Sequence, residues 1–226
     1  MTTVNEQKQI AASKALEFIE DGMTVGLGTG STAAFFIEQL ADKIELENWH
    51  IRGVATSFRS EKLARELGID VVNVDDVKYV DVTVDGADVV DPQFSGIKGG
   101  GAALLFEKVV AKISKKNIWI VDNAKLQSRL HDFNLPIEVV KFGSQHIFNF
   151  LEDMGLNPTW RSYGDVEKMT TDSNNYIIDA HIADYPNLAE LANELDHKTG
   201  VVEHGIFMEI ADMLVIGDME VKAKNE

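Results

Sequence analysis

The chain has 226 residues, no cysteine, and a net charge of −16 from 21 basic and 37 acidic side chains. Composition excludes disulfides, thiolate metal sites and cysteine nucleophiles, and the charge disfavours nucleic acid and anionic membranes as partners. No apolar run approaches the roughly 18 to 20 residues of a membrane span, the polar Met1–Gln9 lacks a secretory layout, and a cytoplasmic location is the simple reading.

In chain order, Ala12, Ala15, Leu16 and Ile19 follow the spacing of a helix that buries one face, and Lys8 lies on the same stripe. Periodicity alone fits a lysine stretching to solvent as well as a buried one. A short strand, Met23 to Leu27, leads into the turn Gly28-Thr29-Gly30, and a helix follows with Ala33, Phe36, Ile37, Leu40 and Ile44 on one face. Further strands are expected at Ile51 to Ala55, Ile69 to Val74, Val80 to Val84 and Ile118 to Val121, with helices near Ser60 to Leu67 and Ala102 to Ser114. In the last of these helices Ala102, Leu105, Phe106, Val109 and Ile113 form the expected core stripe, with Glu107 off it. Strands alternating with helices predict a parallel sheet covered on both faces.

From about Leu135 the pattern changes to strand (Ile137 to Val140), helix (Ser144 to Met154), strand (Pro158 to Arg161), strand (Tyr176 to Ala180), helix (Asn187 to Asp196) and strand (Val201 to Glu203). That β-α-β-β-α-β order is the signature of a ferredoxin-like unit. Met213 to Gly217 is apolar enough to return to the first sheet as an added strand. The expected fold is α/β: a Rossmann-like parallel-sheet domain of residues 1–130 plus 205–226, and a smaller ferredoxin-like α+β domain of residues 131–204.

Four segments carry chemistry. Gly26-Leu27-Gly28-Thr29-Gly30-Ser31-Thr32 lies between a strand and a helix, where free N–H groups and the positive dipole end favour an anion and Thr29, Ser31 and Thr32 add hydroxyl donors. The same segment also fits a tight turn with Ser31 as N-cap. Read as a dinucleotide motif it passes only as G-x-G-x-x-A, without the acidic residue expected after the next strand. Val84-Asp85-Gly86-Ala87-Asp88 puts two carboxylates at the end of a strand, where ligands bind in open α/β sheets, although an Asp-Gly pair is often only a turn. Lys98-Gly99-Gly100-Gly101 precedes a helix bearing Glu107, and adjacent glycines imply a backbone fitted closely around something. Asp122-Asn123-Ala124-Lys125 follows a strand and brings a lysine to the same sheet edge. The six histidines, at 50, 131, 146, 181, 197 and 204, form no metal-binding pair, and none is assigned a role.

In order and spacing these segments resemble the ribose-5-phosphate isomerase A family, as do Leu135-Pro136-Ile137-Glu138-Val139 and the ferredoxin-like unit. The resemblance covers essentially the whole chain. It implies a phosphate site of Lys8, Ser31, Thr32 and Lys125 with Thr29 and Gly30, and a sugar surrounded by Asp85, Gly86, Ala87, Asp88, Lys98 and Gly99, Gly100 and Gly101. It makes Glu107 the general base of an aldose–ketose isomerase in the non-oxidative branch of the pentose phosphate pathway. A single carboxylate can move a proton from C2 to C1 through a cis-enediolate, with Lys98 or glycine N–H groups facing the oxygen. Asp85 is expected to open the sugar ring and Asp88 to hold hydroxyls. No metal and no cofactor is implied, and the expected assembly is a homodimer or a dimer of dimers. Since a sugar phosphate is an anion, the resemblance requires a local positive site inside a negative global field. Two other classes compete: a catalytically silent sugar-phosphate sensor, which the presence of Glu107 opposes, and a nucleotide-dependent dehydrogenase, which the missing acidic residue opposes.

Overall fold

The computed structural model describes residues 2–130, 133–164, 167–219 and 221–224, so that His131 lies outside the described residues. The first helix, α1 (Val4–Ala15), starts with a capping box: Glu6 N–H donates to Thr3 Oγ1 (3.2 Å) and Thr3 N–H to the Glu6 carboxylate (2.6 Å). There follow β1 (Thr24–Leu27), α2 (Ser31–Glu47), β2 (Arg52–Ala55), α3 (Phe58–Glu66), β3 (Asp70–Val71) and β4 (Val82–Asp85). Two very short strands, β5 (Val89–Val90) and β6 (Gly96–Ile97), precede α4 (Leu104–Lys112) and β7 (Asn117–Val121). Next come β8 (Leu135–Val139), α5 (Ser144–Asp153), β9 (Thr159–Trp160), β10 (Ser162–Tyr163), β11 (Glu167–Lys168), β12 (Tyr176–Ala180), α6 (Leu188–Asp196) and β13 (Val201–His204). The described chain closes with β14 (Ile206–Phe207), β15 (Met213–Ile216) and β16 (Val221–Ala223).

Seven strands form the main sheet in the order β16-β15-β7-β4-β1-β2-β3. All neighbours are parallel except β16 against β15. Every residue of β1, β4, β7 and β15 is buried, as strands covered on both faces require. Ala11, Ala12 and Ala15 of α1 and Phe36, Ile37 and Leu40 of α2 pack in one cluster with Val25, Leu27, Val84, Ile118 and Ile120 of the sheet. Each large side chain so buried contributes roughly 1.5–3 kcal/mol. The chain leaves β1 toward β2 on one side and returns to β4 on the other, so the crevice beyond the ends of β1 and β4 is a topological switch point.

The second sheet, β13-β8-β12-β9, is antiparallel throughout, and its ferredoxin-like order places β12 between β8 and β9. Ile147 and Leu151 of α5 and Leu188, Leu191 and Leu195 of α6 bury one of its faces. A three-stranded ribbon, β14-β6-β5, connects the two sheets. Among the described residues no helix is long and apolar enough to cross a membrane.

Three expectations are corrected. The strand at 69–74 shrinks to Asp70–Val71, because the chain turns into a short 3-10 helix at Val74–Asp76, led by Asn73. The first helix ends at Ala15, a 3-10 turn (Leu16–Phe18) follows, and the buried Ile19 is itself extended. In α4 the buried face carries Leu104, Glu107, Val110 and Ala111, whereas Leu105 and Phe106 are half-buried and Val109 is exposed. Apolar residues occupy positions all round this short helix, so periodicity could not choose its inner face. The helix also starts two residues late, because Ala102 adopts a positive φ of 58°.

Candidate active site

The site is assembled at the switch point from four loops. The first follows β1. Gly30 is the N-cap of α2 with φ +108°, a conformation that L side chains rarely adopt, and no side chain caps the helix. Ser31 is therefore the first helical residue and not the cap. The first-turn N–H groups keep their donors for an anion. Lys8 reaches across from α1, its Nζ donating to Ser31 Oγ at 2.9 Å. After β7, the Asp122 carboxylate accepts the Ala124 N–H (3.1 Å) and fixes the turn that presents Lys125. Lys8, Ser31, Thr32 and Lys125 line one end of a cavity of about 160 Å³.

Glu107 and Lys98 line the same cavity. Lys98 Nζ stands 3.0 Å from Asp85 Oδ2 and 3.5 Å from Glu107 Oε1, and donates to Gly86 O. All three charged side chains are buried. Asp85 Oδ1 accepts the N–H groups of Thr29 (2.9 Å) and Gly86 (2.7 Å), which ties the first loop to the second. Asp88 Oδ2 accepts the Gly100 N–H at 2.7 Å, which ties the second to the third. Glu107 Oε2 is buried and has no hydrogen-bond partner among the described residues.

Electrostatics follow from this geometry. Burial pushes the Glu107 carboxyl up to about 8; Lys98 opposes the rise, and Asp85 and Asp88 add to it. Burial pulls the Lys98 ammonium down, but the carboxylates of Asp85 and Glu107 outweigh it and hold Lys98 above its ordinary value. One cation thus stands among three acids, and Glu107 is the acid that is driven toward neutrality.

Of the residues expected around the ligand, the structure gathers all but Asp85 in the lining of one cavity. Thr29 lines the cavity, but its hydroxyl is engaged with those of Thr56 and Ser57, each at 2.8 Å, and is no free donor to an anion. Asp85 stands behind Lys98 and is not among the residues lining the cavity, whereas Asp88 is. The Asp85 oxygens serve two N–H groups and an ammonium. Sequence reasoning left Asp122 without a role, although it lines the cavity; an Asp two residues before an N–H it can accept is the available signal.

One trio of metal-ligand types lies elsewhere among the described residues: Asp196, Glu203 and His204. Its donors are committed. Ile206 N–H donates to His204 Nδ1 (3.2 Å), which leaves the ring proton on Nε2, facing Asp196 Oδ1 at 3.1 Å. Glu203 Oε1 accepts Lys108 Nζ at 2.6 Å and the His204 N–H at 2.8 Å. Burial and nearby Lys108 push His204 down to about 4, so the ring is neutral at pH 7. The trio fastens α6 and β13 to α4.

Comparison with known proteins agrees across the chain. Residues 52–220 match the family model described as ribose 5-phosphate isomerase A (phosphoriboisomerase A). Ribose-5-phosphate isomerase A of Lactococcus lactis subsp. cremoris is 49% identical over 212 residues, covering 94% of both chains. A solved D-ribose-5-phosphate isomerase in complex with phospho-erythronic acid superposes with a TM-score of 0.93 at 40% identity, over 98% of each chain. Ribose 5 phosphate isomerase A from Neisseria gonorrhoeae superposes with a TM-score of 0.91 at 38% identity, over 100% of each.

Proposed function

Because the chain belongs to the ribose-5-phosphate isomerase A family, we propose that it interconverts ribose 5-phosphate and ribulose 5-phosphate, with Glu107 as the base that moves the proton. The carrying observation is the Glu107 carboxyl: buried, raised to about 8, with Oε2 unpartnered in a cavity that also holds an anion cradle. A sensor that only binds a sugar phosphate has no use for such a carboxylate, which costs stability.

The phosphate sits on the N-terminus of α2 with Ser31, Thr32, Lys8 and Lys125, and this remote contact positions the reacting carbons near Glu107. Asp88, which faces the cavity, takes over from Asp85 as the group that exchanges a proton with the ring oxygen. In the open chain Glu107 Oε2 removes the C2 proton, and the electron pair forms the C1–C2 double bond of a cis-enediolate. Negative charge gathers on the C1 oxygen. The Lys98 ammonium and the glycine-loop N–H groups stabilise it. The C2 hydroxyl proton passes to the C1 oxygen, Glu107 returns its proton to C1, the C2 oxygen becomes the ketone carbonyl, and the carboxylate is restored. Lys98 pairs with Oε1 at 3.5 Å, and the unpartnered Oε2 is the oxygen left for the substrate. The relative solved with phospho-erythronic acid supports this reading, since that acid pairs a planar anionic head with a phosphate.

The test is turnover of ribose 5-phosphate by the purified protein beside Glu107→Gln. Loss of about 10²–10⁴-fold in kcat with substrate binding kept supports the assignment. A homodimer or dimer of dimers belongs to the same proposal, and light scattering at several concentrations decides it. So does the division into units 1–130 plus 205–226 and 131–204, which limited proteolysis tests.

A further inference from the structure

Arg161 belongs to the antiparallel sheet, yet it touches the glycine loop that precedes α4. It follows β9, and its guanidinium pairs with the carboxylate of Asp179 on β12: Nε donates to Oδ2 at 2.9 Å and Nη2 to Oδ1. The two side chains are only 15% and 18% exposed. This fork is rigid and bidentate. It leaves Nη1 free to point away, and Nη1 donates to Gly99 O at 2.6 Å and to Gly100 O at 3.2 Å.

The consequence follows from peptide planarity. In a trans peptide the C=O and the following N–H point in opposite directions. In the 99–100 peptide the oxygen meets Arg161 while the N–H meets Asp88, a residue that lines the cavity. Arg161, which does not line the cavity, therefore holds the loop from behind. The 100–101 peptide directs its oxygen to the same nitrogen, so the Gly101 N–H points to the cavity side. Among the described residues that N–H has no acceptor, and Gly101 lines the cavity beside Lys98 and Glu107. The loop needs such a hold, because Gly99 (φ +104°) and Ala102 (φ +58°) both adopt left-handed backbone.

We propose that Arg161, locked by Asp179, is a positioning residue for the isomerisation: it keeps the 100–101 peptide turned so that the Gly101 N–H faces the oxygen that becomes negative in the enediolate. The inference rests on the enediolate reading of the site. It extends the machinery to a side chain outside all four sequence motifs and makes the second sheet part of the reaction.

Three variants test it: Arg161→Lys, the double variant Arg161→Met with Asp179→Leu, and Glu107→Gln. Each is measured for kcat, KM, inhibition by inorganic phosphate, and Tm. Lysine keeps the charge but cannot hold Asp179 and both carbonyls together. Arg161→Lys is expected to lower kcat about 10- to 100-fold, with KM and phosphate inhibition changed by about twofold or less. The double variant removes both members of the pair, which restores Tm toward wild type and leaves kcat low. Wild-type kcat in either variant overturns the proposal, as does a loss confined to KM and Tm. The two readings fail separately: a silent Glu107→Gln beside a loss of kcat in the Arg161 variants removes the base and keeps the positioning role, and the reverse pattern removes the positioning role alone.

Discussion

At Glu107 the needs of folding and of chemistry oppose each other. Its ordinary pKa is 4.5 and burial raises it to about 8. The folded state therefore binds this proton more tightly than the unfolded chain. The protonated form favours folding fully below about 4.5, and that advantage is lost as pH rises from there to about 8. Glu107→Gln, which mimics the protonated acid, is expected to raise Tm by several degrees at pH 8.5 and to change it little at pH 4.5; thermal melts at the two values check this. In the proposed mechanism the same ionisation sets activity, because only the carboxylate accepts a proton. Wild-type kcat/KM should climb tenfold per pH unit below about 8 and level off above it. Lys98 pulls the carboxyl down, so Lys98→Met should move that limb to higher pH as well as lowering kcat. A pH–rate profile showing the limb unmoved would remove Lys98 from the electrostatic account.

At the scale of elements, three separate pieces border the proposed phosphate site: the middle of α1 through Lys8, the start of α2, and the turn after β7 through Lys125. Each lysine is expected to act on binding more than on chemistry. Lys8→Met and Lys125→Met should each raise KM about tenfold, the value of one charge-assisted hydrogen bond, and weaken inhibition by inorganic phosphate in step, with kcat nearly kept. Much of this layout was legible in the sequence, because a glycine turn between a strand and a helix leaves first-turn N–H groups open and β4 and β7 lead into acids and a lysine. The inner face of α4 was not legible. Leu104, Leu105, Phe106, Val109 and Val110 place apolar groups around the helix, and only packing decides that Glu107 points inward. Strands of two residues, such as β5, β6 and β14, carry no periodicity and were equally hidden. That Asp88 lines the cavity and Asp85 does not was hidden for a related reason: sequence spacing puts both at one strand end and cannot tell which one pairs with Lys98.

In the molecule as a whole, the helix that carries Glu107 is fastened to the second sheet and the small ribbon by a single side chain. Lys108, the neighbour of Glu107 on α4, donates to Glu203 Oε1 (2.6 Å), His204 O (2.8 Å) and Ile206 O (3.1 Å). Lys108→Met breaks a largely buried ion pair and leaves two carbonyls unpaired, and should cost about 3 kcal/mol in urea unfolding. A change below about 0.5 kcal/mol would mean that the link is solvated in solution. In a chain with a net charge of −16, Lys8, Lys98, Lys125 and uncapped N–H groups are gathered at one cavity, which is what the proposed binding of an anion requires. The central claim is that a single carboxylate moves the proton between C2 and C1. The most direct measurement is turnover, in H₂O, of ribose 5-phosphate carrying deuterium at C2 by wild type and Glu107→Gln, with deuterium carried to C1 of the ribulose 5-phosphate read by NMR. The account predicts deuterium at C1 in the wild type, and loss of both turnover and label in the variant while the sugar phosphate still binds. Undiminished labelled turnover by Glu107→Gln would contradict it.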